Sequence, residues 1–69
     1  MKIVFFERVK QLRIDMGLSQ GELAKKINTT QRKVSYWETG KIEPSLKDLC
    51  DIALFFSVTT DYLIGLKDY

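Results

Sequence analysis

Residues 20–37, QGELAKKINTTQRKVSYW, decide the fold. Leu23, Ala24 and Ile27 fall on one face of a short helix, and Val34 and Trp37 fall on one face of the next. Between them Asn28 tolerates a positive φ, so the chain can turn sharply without glycine, and Thr30 is placed to cap the second helix. Ala24 is small enough to let two backbones approach. The two apolar faces therefore pack on each other at a steep angle.

The pattern extends in both directions. Upstream, Phe5, Val9, Leu12 and Met16 recur at helical spacing and predict a first helix over roughly Phe5 to Met16, ended by Gly17. Ser19 with Glu22 three residues on reads as a capping box for the second helix. Downstream, Gly40 ends the third helix and Lys41 to Pro44 read as loop. Ser45 caps a fourth helix whose inner face is expected to be Leu46, Leu49, Ala53 and Phe56, with Asp48 at the third position and Ile52 flanking. A short fifth helix over Thr60 to Ile64 turns Leu63 inward and stops at Gly65. A strand is conceivable only over Lys2 to Phe6. The expected fold is all-α: five short helices in one domain spanning 1–69, with no linker or repeat.

Composition narrows the function. With 69 residues the chain buries only about 60% of its unfolded surface, too little for a large enzyme with a deep cleft. Histidine is absent and Cys50 is the sole cysteine, which removes Cys/His zinc sites, imidazole-assisted nucleophiles and intrachain disulfides. Cys50 reads as a small buried hydrophobe, with a redox sensor as the weaker alternative. No apolar run approaches the ~20 residues of a membrane helix. The expectation is a soluble, cytoplasmic protein that needs no metal, cofactor or small-molecule ligand. Net charge is only +2, but residues 1–41 carry +5 and residues 42–69 carry −3. Such a gradient suits a polyanion on one side, although chance on a short chain would produce it too.

The segment 18–65, LSQGELAKKINTTQRKVSYWETGKIEPSLKDLCDIALFFSVTTDYLIG, resembles the lambda-repressor-like helix-turn-helix family of Cro/repressor type. FFERVKQLRIDMG, residues 5–17, is similar to that family's first helix. Leu18-Ser19-Gln20, Leu23-Ala24, Trp37-Glu38, Gly40, Pro44-Ser45 and Leu63-Ile64-Gly65 all fall at its spacing. The resemblance implies that the third helix lies in the major groove of DNA and that its N-terminal residues touch bases.

Residue by residue, the resemblance implies a base contact for Gln31, with adenine favoured because an amide pairs with N6 and N7 together. Arg32 would read guanine or hold phosphate, and Tyr36 would touch a base, a thymine methyl or the backbone. Thr30 and Ser35 complete the DNA-facing set. Gln20 resembles the family's phosphate-binding glutamine, and Lys33 and Lys41 would face phosphates. Lys33→Ala is accordingly expected to flatten the salt dependence of binding by about one unit. Arg13 and Glu38 match a structural ion pair between the first and third helices. Each assignment has a plainer rival: Gln31, Arg32, Lys33 and Lys41 as solvated surface residues, Tyr36 as a packing residue. Trp37 reads as core, and Lys25 and Lys26 as solvated.

Departures from the family pattern fall at Gly21, Asn28, Ser57, Glu43 and Ser45. Gly21 would permit close approach to a sugar-phosphate chain, whereas Glu43 would repel one. The function implied is that of a bacterial or prophage repressor, nucleoid-associated, acting as a homodimer on half-sites about 34 Å apart. Leu54, Phe55, Tyr62 and Leu66, with Tyr69, are expected to form the dimer patch; the plainer reading is that they thicken the core with Phe6. Asp48, Asp51 and Asp61 are expected to face away from DNA. An antitoxin or adaptor binding another protein is the alternative function, and an enzyme is not expected.

Overall fold

In a computed structural model that describes residues 4–69, five helices follow one another with short connections: α1 (Phe5–Asp15), α2 (Gln20–Lys26), α3 (Gln31–Thr39), α4 (Leu46–Phe56) and α5 (Thr60–Ile64). There is no strand among the described residues. Of the stretch 2–6, residues 2 and 3 lie outside the description, and Phe5 and Phe6 are helical.

Local chemistry sets the boundaries. Ser19 Oγ accepts from Glu22 N at 3.0 Å while Glu22 Oε1 accepts from Ser19 N at 2.8 Å, the reciprocal capping box expected for α2. The hydroxyls of Thr30, Ser45 and Thr59 cap α3, α4 and α5 in the same way, accepting from Lys33 N, Asp48 N and Tyr62 N. Asn28 and Ser57 adopt the left-handed conformation with φ of 59° and 56°, the conformation glycine takes at Gly40, where φ is 76°. The backbone reverses after α2 and after α4 at these two side-chain-bearing residues.

Phe5, Val9, Leu23, Ala24, Val34, Trp37, Ile52, Ala53 and Leu63 form one buried cluster to which every helix contributes. Helix α3 packs on α2 and on α1, and α5 packs on α4 and α1. Trp37 is central: its ring meets Phe5 edge to face at 6.4 Å. A second clamp runs from α1 to α5. Arg8 Nη1 donates to the carbonyls of Tyr62 and Lys67, and the guanidinium lies 4.3 Å over the Tyr62 ring.

Three expected core positions lie on the surface. Leu46 is 83% exposed, because side chains lean toward a helix N-terminus and Leu46, in the first turn of α4, leans beyond its end. Leu49, Ile52, Ala53 and Phe56 take the inward face instead. Cys50, one turn after Leu46 on the same outer stripe, is exposed as well rather than buried. Along α1, burial declines from Phe5 and Val9 through half-buried Leu12 to exposed Met16, so this stripe runs off the core.

Candidate nucleic-acid interface

The first turns of α3 form the candidate surface. Gln31, Arg32 and Lys33 are exposed there, while Val34 and Trp37 on the opposite side anchor the helix in the core. Among the described residues, the side chains of Gln31 and Arg32 make no hydrogen bond or ion pair. An amide and a guanidinium therefore stand side by side with their donors and acceptors turned to water, a pair of groups suited to base edges. Thr30 precedes them, exposed, with its hydroxyl engaged as the cap of α3. Ser35 and Tyr36 are half-buried one turn on. Lys41 closes this edge with Nζ 5.3 Å over the Tyr36 ring.

An ion pair that is largely covered helps Val34 and Trp37 hold α3 in place. Arg13 Nε and Nη2 donate to the two carboxylate oxygens of Glu38 at 2.6 and 2.9 Å, and Nη1 donates to the Leu18 carbonyl at 2.8 Å. The Glu38 side chain is 3% exposed. The Glu38 hydrogen bond raises the Arg13 pKa further above its ordinary value, with burial opposing and the charge on Glu38 assisting. The fork ties α1, the loop before α2, and α3 into one unit. This is the structural role expected for Arg13 and Glu38.

Gln20 joins this unit. Its Nε2 donates to Glu38 Oε1 at 3.2 Å, so one amide hydrogen points inward rather than to an outside anion. Next to it, a Cβ added to Gly21 would meet only Ser19 Oγ at 4.0 Å. Nothing inside the fold requires glycine there.

Lys33 is not free. Its Nζ lies 3.2 Å from Asp48 Oδ2, which brings Asp48 against α3 and corrects the expectation that this carboxylate faces away from the recognition surface. Asp51 pairs along α4 with Lys47 at 2.7 Å. No periodicity could have paired Lys33 with Asp48, because the contact crosses between two capped helix starts fifteen residues apart. Leu54 and Leu66 are exposed, at 79% and 58%. Phe55 and Tyr62 are not: Phe55 packs against the core and meets Phe56 edge to face, and Tyr62 lies under Arg8. No group of carboxylates, cysteines or histidines among the described residues could hold a metal ion, and no described helix is long and apolar enough to cross a membrane.

Two short helices, a left-handed turn between them and a second helix with a polar exposed start define a helix-turn-helix domain. The chain belongs to the helix-turn-helix family, whose sequence profile matches residues 9–63, and within it to the Cro/C1 type. It is 40% identical over 61 residues to the HTH-type transcriptional activator BcrR of Enterococcus faecalis, covering 88% of this chain and 30% of that protein. It is 36% identical over 61 residues to the SPbeta prophage-derived HTH-type transcriptional regulator YonR of Bacillus subtilis, covering 88% of this chain and 56% of that one. The chain thus spans about a third and about half of these relatives. The P22 c2 repressor, solved in complex with a synthetic operator, superposes with a TM-score of 0.87 over 97% of this chain and all of that one, at 22% identity. That likeness is one of fold.

Proposed function

We propose that this chain is a sequence-specific, double-stranded DNA-binding domain of a transcriptional regulator, a repressor of bacterial or prophage type, and that α3 enters the major groove. The observation that carries the reading is the exposed, unpartnered Gln31–Arg32 pair at the start of a helix whose other side is locked by Trp37 and by the Arg13–Glu38 fork. Lys41 lies over the Tyr36 ring one turn on, where Lys41 would meet phosphate and Tyr36 a base, a thymine methyl or the backbone. The names of the relatives, a transcriptional activator and a prophage-derived transcriptional regulator, support the regulator part of this reading.

The described residues extend 29 × 23 × 20 Å, slightly less than one ~34 Å turn of duplex, so one copy covers one half-site. We place it as a single domain over residues 1–69 that acts as a homodimer in the cytoplasm, on the nucleoid, with Leu54 and Leu66 at the contact between copies.

Selection from random duplexes tests this directly. The expected product is a two-fold symmetric site with half-sites one helical turn apart. Gln31→Ala should cost about 1–3 kcal/mol on that site and relax preference at one base position. Selection of the same site by Gln31→Ala, at unchanged affinity, would refute the register proposed for α3.

A further inference from the structure

The Lys33–Asp48 pair joins the groove-facing helix to α4, and the two halves are unequal. The Asp48 side chain is 15% exposed and that of Lys33 is 47% exposed. Asp48 is the fixed member. It stands in the first turn of α4, where its backbone N–H donates to Ser45 Oγ at 3.1 Å, and the helix N-terminus favours its negative charge. Burial pushes its carboxyl upward, but hydrogen bonds from Lys33 and Ser45 outweigh burial and hold it below the ordinary carboxylate value. Asp48 thus remains an anion throughout the neutral range.

We propose that Asp48 limits the affinity for duplex: it retains Lys33 when DNA binds and so withholds one cation from the phosphates. The proposal rests on the DNA-binding reading above and deepens it. A free lysine near the start of a groove-facing helix pairs with phosphate whatever the sequence, and the counterions released strengthen binding to every duplex alike. Lys33 held by Asp48 gives up that indiscriminate contribution, while Gln31 and Arg32 keep their groups for base edges. Transfer of Lys33 to a phosphate would leave a mostly covered carboxylate without its counter-charge beside a polyanion. The pair therefore lowers affinity for operator and unrelated duplex by the same factor and leaves their ratio unchanged.

The test is a double-mutant cycle of Asp48→Asn and Lys33→Ala, with affinity for the selected operator and for an unrelated duplex measured between about 50 and 200 mM salt. Asparagine keeps the shape of Asp48 and remains a good residue for a helix start. Thermal melting of each variant checks the fold, with Asp48→Ser as a second substitution.

Asp48→Asn should bind the unrelated duplex more tightly at low salt. Its log–log salt slope should steepen by about one unit, which is about a four-fold greater loss of affinity over that salt range. Affinity for the operator should rise by the same factor, so that the operator-to-unrelated ratio stays constant. Lys33→Ala in the native background should flatten the slope by much less than one unit, and in the double variant the increment from Asp48→Asn should vanish. An unchanged slope in folded Asp48→Asn overturns the proposal, because Lys33 then leaves Asp48 freely. An increment that persists without Lys33 also overturns it, because Asp48 then acts through its own charge. Failure of the native chain to bind any duplex is a different result, which removes the DNA-binding reading itself.

Discussion

At the scale of single residues, one charge pair is almost out of water. Glu38 is covered to the last few per cent and receives three side-chain hydrogen bonds, two from Arg13 and one from Gln20. Removing one partner of a buried pair costs about 3–5 kcal/mol because the other charge is left desolvated, whereas replacing both by apolar groups is often neutral. Arg13→Met should therefore cost about 3 kcal/mol, at the lower end because Gln20 remains as a donor. Combining it with Glu38→Leu should recover most of the loss. Urea denaturation of the four proteins checks this, and a single-variant cost below about 1 kcal/mol would contradict it.

Two other carboxylates set the response to acid. Hydrogen bonds from Ser19 hold Glu22 below its ordinary value of 4.5, and Asp48 lies below its ordinary value of 3.8 despite burial. A carboxyl whose folded pKa is depressed stabilises the fold above its unfolded pKa and loses that contribution as pH falls through the folded value. Stability should thus be flat at neutral pH and decline below about pH 4.5. In Glu22→Gln/Asp48→Asn the decline should be shallower, as read from melting temperatures across that range. A steeper decline would reverse the sign assigned to both groups.

Residue roles were legible where local sequence suffices. Ser19, Thr30 and Ser45 announce caps, and Trp37 announces core. Leu46 and Cys50 were misread because periodicity gives a stripe along α4 but not where the core beneath it begins. The partners of Lys33 and Gln20 were invisible for another reason. Both contacts join different helices and depend on how the helices dock.

At the scale of elements, the turns carry a detectable cost. Ser57 ends α4 in the left-handed conformation, which costs an L-residue roughly 1 kcal/mol and glycine almost nothing. Ser57→Gly should stabilise the domain by about 0.5–1 kcal/mol and raise its melting temperature by several degrees, with no change in DNA preference. A lower melting temperature would mean that the Ser57 side chain makes a contact worth more than the strain. The same reasoning applies more weakly to Asn28, since asparagine adopts this conformation with less strain. All five helices were readable from apolar spacing and punctuation. Short helices need strong start and stop signals, and here nearly every end carries a hydroxyl cap, a glycine or a left-handed turn.

At the scale of the whole molecule, the charge gradient acquires a shape. The basic half of the sequence contains α3 and its flanks, and the acidic half contains α4 and α5. The two halves are not fully separated, because Asp48 comes back to touch Lys33 on the surface itself. The +5 of the basic half thus overstates the cations available to phosphate, and the distribution within the fold decides how many remain. The family likeness was legible in the sequence because its motifs cover almost the entire chain; the compensation of Lys33 was not, because it belongs to this chain's own packing.

Whether this surface binds duplex DNA is read from the affinity of the native chain for duplex as salt is raised. The logarithm of the association constant should fall linearly with the logarithm of salt concentration, with a slope of several units, one for each phosphate contacted. The selected site should stay well above unrelated sequence at every salt. Absence of tight duplex binding even at low salt would rule out DNA as the partner and leave the exposed start of α3 as a surface for another protein.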